Sequence, residues 1–106
     1  MSFTIKQNDT SPSISATLKD GSGAALDLSG AYVRFHLKGV DGSLKVDAAV
    51  LLTDAANGVI QYNWASGDTD TAGTYYAEFE ATYSDDSIET FPNDGNLAIK
   101  IVKELN

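Results

Sequence analysis

The chain has 106 residues, with fifteen acidic and seven basic side chains and a formal net charge of −8. It contains no cysteine, which excludes a disulfide, a thiolate metal site and a cysteine nucleophile. The negative charge repels phosphate backbones and anionic lipid, so we expect neither nucleic acid nor a membrane as a partner. The first residues lack the basic start and apolar run of a signal peptide, and no apolar stretch approaches the roughly 20 residues of a transmembrane helix. We expect a soluble protein that is synthesised and assembled in a cytoplasm.

Alternation of apolar and polar residues predicts a succession of short strands, and no segment has a convincing helical period. In chain order, the predicted strands cover about residues 3–6, 13–18, 31–38, 44–53, 60–64, 74–83, 88–91 and 97–101. The alternation is cleanest in 31–38, whereas the irregular pattern of 44–53 indicates a bulge. Asn57-Gly58 and Asp85-Asp86 mark tight turns, and 92–95 interrupts the chain before the last strand.

This spacing of short strands indicates an all-β fold, an immunoglobulin-like (Ig-like) two-sheet antiparallel β-sandwich of seven to eight strands without a disulfide. The length leaves room for a single domain, over residues 1–106. Tyr75 is placed to anchor the corner before the longest strand, with its hydroxyl bonded to the backbone of the preceding loop. Ala77 stands where an antibody domain has its second cysteine. Trp64 shares a strand face with Tyr62, so we expect it in the core or at the core rim.

An Ig-like strand order makes 31–38 and 74–83 neighbours, with the last strand on the other side of 74–83. Outward side chains of these strands form a candidate interaction face: Tyr76, Arg34, His36, Lys38, Glu78, Glu80 and Lys100. The basic residues of 31–38 then lie beside the two glutamates, and Lys100 flanks these glutamates from the far side. We favour the simpler interpretation, in which opposite charges neutralise the sheet surface and fix the strand register. The alternative is a mixed-charge docking face for a partner subunit, with Tyr76 as an exposed aromatic contact.

The sequence predicts no enzyme, no cofactor and no metal site. Asp68 and Asp70 are weak calcium candidates, but calcium needs about 6–8 oxygen ligands, so Asp85 and Asp86 would have to join them from another loop. We expect these aspartates to cap turns instead. His36 is the only histidine, and it lies on the outward face of a regular strand, where neither a catalytic nor a zinc-binding histidine is expected.

Six segments, taken in order, resemble the N-terminal Ig-like domain family of phage baseplate upper proteins. They are LDLSGAYVRFHL at 26–37, DG at 41–42, DAANGVIQYNW at 54–64, AGTY at 72–75, AEFE at 77–80 and FPNDG at 91–95. The resemblance covers nearly the whole chain. It implies a non-enzymatic structural domain of the virion that joins a tail or baseplate ring to something more distal, and the family carries no catalytic residues.

The resemblance also implies partners and a location. We expect docking to tail, baseplate, neck or capsid subunits, a homo-oligomer in the assembled particle, and synthesis in the cytoplasm of the host bacterium. Nothing follows the last strand in this sequence, so we expect an accessory or adaptor subunit rather than a receptor-binding protein. An alternative function is a host-surface glycan-binding module that uses Tyr76 and the loop aspartates, with or without calcium. A hydrolase would require a cleft that joins His36 to paired carboxylates.

Overall fold

The computed structural model describes residues 2–92, 95 and 97–105, and within them it contains nine strands and one short 3₁₀ helix. The strands are β1 Ser2–Lys6, β2 Ile14–Thr17, β3 Tyr32–Gly39, β4 Leu44–Ala49, β5 Leu51–Asp54, β6 Val59–Tyr62, β7 Gly73–Thr82, β8 Ile88–Phe91 and β9 Leu97–Val102. The 3₁₀ helix, Ala55–Asn57, lies between β5 and β6. Of the predicted interruption at 92–95, residues 93 and 94 lie outside the described residues.

The strands form two sheets, which confirms the predicted Ig-like sandwich. The larger sheet has the order β1-β9-β7-β3-β4, and β8 pairs with the same edge of β7 as β9, but further along the strand. The smaller sheet has the order β2-β6-β5. Among the described strands, every pairing is antiparallel except that of β1 with β9. The predicted placement of 74–83 between 31–38 and the last strand is confirmed.

The predicted irregular strand 44–53 divides at Val50 into two strands that belong to different sheets. β4 pairs with β3 in the larger sheet, whereas β5 pairs with β6 in the smaller sheet. The backbone N–H of Val50 still donates to the carbonyl oxygen of Val33, 3.1 Å away. The chain therefore passes from one layer to the other within one residue. This crossing explains the blurred alternation, and it gives nine described strands where seven to eight were expected.

Aromatic rings fill the core between the two sheets. The ring of Phe35 stacks on that of Tyr62 with 4.4 Å between centroids, and it meets Trp64 edge-on at 5.7 Å and Phe79 at 5.4 Å. Ala77, on the same side of β7 as Phe79, is fully buried. The side chains of a strand alternate between its two faces. Because Phe35, Ala77 and Phe79 are buried, the intervening residues of β3 and β7 lie on the solvent side of the larger sheet.

Four loops repeat the motif Asp-Xaa-Ser, which the strand pattern did not reveal. In each, an Oδ1 atom of the aspartate accepts a hydrogen bond of 2.9 or 3.0 Å from the backbone N–H of the serine: Asp20 and Ser22, Asp27 and Ser29, Asp41 and Ser43, Asp85 and Ser87. Hydrogen bonding by the serine side chain is the main cause that lowers the pKa of each of these carboxyls. Part of the negative charge therefore serves to close turns.

Candidate docking face

The outer face is the solvent side of the larger sheet, formed by the outward residues of β1, β3, β4, β7, β8 and β9. In its register, three basic residues of β3 face three residues of β7: Arg34 opposite Glu80, His36 opposite Glu78, and Lys38 opposite Tyr76. Glu78 and Glu80 are termed the glutamate pair. The basic residues of β3 lie beside this pair in the sheet, as expected from an Ig-like strand order.

Two of these basic side chains bind an aspartate of β4 instead of the glutamate pair. Arg34 donates from Nε to Asp47 Oδ1 at 2.7 Å and from Nη2 to the Asp47 carbonyl oxygen at 2.9 Å. His36 Nε2 lies 3.1 Å from the same Oδ1. The hydrogen bond from Arg34 is the main cause that lowers the pKa of the Asp47 carboxyl. Within the described residues, the ion pairs expected with Glu78 and Glu80 are not formed.

Asp47 is the charged partner on this face that sequence reasoning missed. It is exposed on β4 and lies opposite His36, whereas the preceding Val46 is buried. A signal for it was present. The turn at Asp41-Gly42 makes β4 the hairpin partner of β3, and the alternation of Val46 and Asp47 then directs the carboxylate outward.

The expected position of Lys100 beside the glutamate pair is wrong. The register of β9 places Lys100 opposite Thr74 of β7 and opposite Thr4 of β1. It is exposed on the outer face, but it lies beyond Tyr76 rather than beside Glu78. The alternation within a strand fixes the face of each side chain, whereas it does not fix how far one strand is shifted along another.

Exposed apolar side chains lie on the outer face on both sides of the glutamate pair. Tyr76, one outward position before the pair on β7, is 40 % exposed. Tyr32 and Ile88 are each 62 % exposed and lie opposite Thr82, one outward position after the pair. The sequence analysis identified Tyr76 alone. Tyr32 shares the side of β3 that carries Arg34, so the same alternation would have found it.

The four aspartates considered as calcium ligands lie in two loops at opposite ends of β7: Asp68, Asp70, Asp85 and Asp86. β7 has ten residues, and at about 3.3 Å per residue it separates the two loops by roughly 30 Å. One ion cannot bind both pairs, and two aspartates provide too few of the oxygens that calcium requires. Among the described residues, no group of three or more histidine, aspartate or glutamate side chains is arranged to hold a metal.

The two aspartates before β7 have protein partners. Asp68 accepts hydrogen bonds from the Tyr62 hydroxyl and from the backbone N–H of Ala65, the latter at 2.8 Å. Burial, followed by this contact with Asp68, raises the pKa of Tyr62 above its ordinary value. The Asp70 carboxylate pairs with Nζ of Lys45, which ties β4 to the loop that leads into β7. Both carboxylates thus hold the loop in place.

Tyr75 and Trp64 lie at the core and not on the surface. The Tyr75 hydroxyl donates to the carbonyl oxygen of Thr71 at 2.7 Å. Trp64 is 5 % exposed, and the rings of Phe35 and Tyr62 stand nearly perpendicular to it. Within the described part of the chain, its indole N–H has no hydrogen-bond acceptor. Neither Tyr75 nor Trp64 is available to stack on a sugar ring.

A cleft of about 240 Å³ opens between β2 and the junction of β8 and β9. It is lined by Ala16, Thr17, Leu18, Lys19, Phe79, Phe91, Pro92 and Leu97. The cleft is mainly apolar, and none of these residues is a carboxylate or a histidine. His36 lies on the outer face against Asp47, so this cleft does not provide the arrangement that a hydrolase would require.

The two sheets define an Ig-like β-sandwich module. The chain belongs to the BppU N-terminal domain family, whose model matches residues 2–105. This is a family of phage baseplate upper proteins, and the resemblance seen in the sequence is thereby confirmed. The protein is a structural component of a bacteriophage virion that associates with other phage structural proteins.

The crystal structure of CopC from Methylosinus trichosporium OB3b is similar to the chain in fold. The TM-score is 0.58 at 13 % sequence identity, and the match covers 97 % of this chain and 85 % of that chain. At this identity the similarity shows the β-sandwich fold alone. No curated protein matches the chain significantly. The described residues include no helix with the length and apolar character that a membrane crossing requires.

Proposed function

We propose that the chain is a non-enzymatic Ig-like docking module that attaches to other subunits of the virion at the tail, baseplate, neck or capsid. The observation that carries this proposal is the family match over residues 2–105, which spans both sheets of the sandwich. Residues 1–106 act as one module in this proposal. The chain is synthesised in the cytoplasm of the host bacterium, joins the particle during assembly, and is present there in several copies.

The geometry around the histidine supports a role without catalysis. A general base needs an accessible nitrogen within hydrogen-bond reach of a substrate in a pocket. His36 is instead held on the solvent side of a sheet, with Nε2 3.1 Å from Asp47 Oδ1. A solvent-exposed sheet surface with a fixed backbone is suited to contact with another protein, because the backbone does not have to be ordered on binding.

The glycan-binding alternative gains no support from the loop aspartates. Asp68 and Asp70 accept hydrogen bonds from the protein, and Asp85 closes its own turn. These carboxylates hold their own loops, and their geometry gives no sign of a sugar or calcium site.

Quantitative mass spectrometry of purified phage particles tests the proposal. Particles are separated from lysate proteins on a density gradient, and the amount of this chain is measured relative to the capsid and tail proteins in each fraction. We expect the chain to co-migrate with intact particles at a constant number of copies. If it stays with the soluble host proteins and is missing from particles, the proposal is wrong.

A further inference from the structure

We infer that the outer face along β7 binds a cationic segment of another virion subunit. In this assignment Glu78 and Glu80 accept the positive charges, and the exposed apolar side chains around them anchor the segment. The inference rests on the proposed docking function and adds the position of the contact and the chemistry of the partner.

The first argument is that, within the described part of the chain, no cationic side chain pairs with Glu78 or Glu80. Arg34 and His36, the backbone neighbours of the glutamate pair, are directed to Asp47 on the other side of β3. Among the described residues, neither Glu78 nor Glu80 forms an ion pair. Both glutamates are half-buried, so a hydrogen-bonded cation that arrives from a partner forms a stronger pair there than on a fully exposed surface.

The second argument is the spacing along β7. Glu78 and Glu80 are alternate residues of one strand, so they lie about 7 Å apart on the same face. An extended segment of a partner has the same repeat, and cationic residues at every second position match the glutamate pair. Arginine fits best, because its planar guanidinium binds a carboxylate through two parallel hydrogen bonds.

The third argument is that apolar anchors lie on both sides of the charged centre. Tyr76 precedes the glutamate pair, and Tyr32 and Ile88 lie on either side of Thr82 beyond it. The strip from Tyr76 to Thr82 is roughly 20 Å long, which accommodates an extended segment of about six residues. Tyrosine is enriched among the residues that contribute most of the binding energy at interfaces.

The net charge of the chain favours a basic segment of another subunit over a second copy of this chain as the partner of the outer face. A second copy carries the same net charge of −8 and would bring a strongly acidic surface against the unpaired glutamates. A basic segment of a different subunit is attracted both by the net charge and by the local carboxylates. The exposed Lys38, opposite Tyr76, limits the cation-binding region to the part of the strip that holds Glu78 and Glu80.

Binding assays with the purified structural subunits of the same virion test the inference. Each subunit is immobilised separately, and its Kd is measured for the wild-type chain and for the variants Glu78→Gln/Glu80→Gln and Asp9→Asn/Asp86→Asn. The second double variant is the matched control, because it removes two exposed carboxylates outside the outer face, and asparagine tolerates the positive φ of Asp86. Circular dichroism and urea unfolding confirm that all three proteins fold.

We expect one subunit to bind the wild-type chain, with a Kd raised about tenfold or more by Glu78→Gln/Glu80→Gln and changed less than about twofold by the control. Binding that is equal for all three proteins overturns the inference and leaves the docking function intact. If no subunit binds the wild-type chain, both the docking function and the inference fail. A further outcome is that the wild-type chain binds only itself and that Glu78→Gln/Glu80→Gln abolishes this self-association. This result would show that the outer face binds a second copy, and it would overturn the inference of a basic partner.

Discussion

The hydroxyl of Tyr75 donates a hydrogen bond of 2.7 Å to the main-chain carbonyl oxygen of Thr71. This bond connects the start of the longest strand to the loop that brings the chain from the smaller sheet to the larger one. The Tyr75 ring is 8 % exposed, so the phenol fills the core edge while its hydroxyl fixes the corner. The bond therefore fixes the end of this loop against the start of β7.

Replacement of Tyr75 by phenylalanine leaves the Thr71 carbonyl oxygen without this donor. We expect Tyr75→Phe to lower the free energy of unfolding by about 1–2 kcal/mol, since a part-buried acceptor loses its partner while the ring remains packed. Urea unfolding followed by tryptophan fluorescence measures the change. Tyr76→Phe is the control, because among the described residues the hydroxyl of the exposed Tyr76 has no hydrogen-bond partner. Equal stability of the two variants would show that the corner bond contributes nothing.

Gly58 is expected to be the glycine that tolerates a side chain least. It ends the 3₁₀ helix with φ of 71°, and an added Cβ would lie 2.7 Å from the Leu26 carbonyl oxygen and 2.8 Å from that of Leu18. Gly42 has φ of 84° but open space around the same position. We predict that Gly42→Ala costs about 1 kcal/mol of stability from the backbone conformation alone, and that Gly58→Ala costs at least about 2 kcal/mol more.

Thermal or urea unfolding of the two glycine variants measures this difference. Both share the left-handed backbone conformation, so the comparison isolates the clash with the two carbonyl oxygens. A Gly58→Ala protein as stable as Gly42→Ala would mean that the segments around Gly58 move apart without cost.

Alkaline pH is expected to destabilise the fold through Tyr83. Burial and a hydrogen bond of 2.8 Å to Glu89 raise the pKa of Tyr83 from 10.0 to about 12. Because the folded state binds this proton more tightly than the unfolded state, the stabilisation is complete below about pH 10 and is lost as the pH rises through about 12. Urea unfolding across this range is expected to show a smaller loss of stability in Tyr83→Phe than in the wild type. Identical pH dependence of the two proteins would contradict the account.

Acid is expected to act through the Asp-Xaa-Ser turns. The serine hydrogen bonds lower the pKa values of Asp41 and Asp85 from 3.8 in the folded protein. Their stabilisation is therefore present above about pH 3.8 and is lost as the pH falls through the lower folded-state values. We predict that Asp41→Asn/Asp85→Asn, which removes both charges but keeps a hydrogen-bond acceptor, depends less steeply on pH in the acid limb. Urea unfolding midpoints are measured for both proteins at a series of acidic pH values. If the midpoint changes with pH equally in the variant and the wild type, the two aspartates do not cause the acid sensitivity.

Much of the fold could be predicted because the sheets obey a simple rule. Alternation placed Val33 and Phe35 inside and Arg34 outside, and the structure has all three in those positions. Local sequence does not report where a strand changes layers. Val50 still bonds to Val33 in the larger sheet, whereas the next residue begins a strand of the smaller sheet, and this crossing depends on packing between distant segments.

The candidate site was less predictable, because its charge pairs depend on strand shift and side-chain choice. Arg34 has Glu80 on one side and the β4 strand on the other, and its position on β3 does not determine which carboxylate it binds. The bidentate contact with Asp47 Oδ1 and the Asp47 carbonyl oxygen is available only on the β4 side. The position of Lys100 was predicted wrongly for a related reason. The shift of β9 along β7 places it opposite Thr74 instead of beside the glutamate pair, and this shift is set by packing between the strands.

Cross-linking mass spectrometry of intact virions tests the central claim, that this sandwich is a virion module docked through its outer face. Lys38 and Lys100 are exposed on that face, whereas Lys19 borders the cleft beside β2. The account predicts cross-links from Lys38 and Lys100 to one other virion subunit, with Lys19 cross-linked less or not at all to that subunit. The claim would be contradicted if particles contain the chain but the neighbouring subunit is cross-linked to Lys19 and never to Lys38 or Lys100.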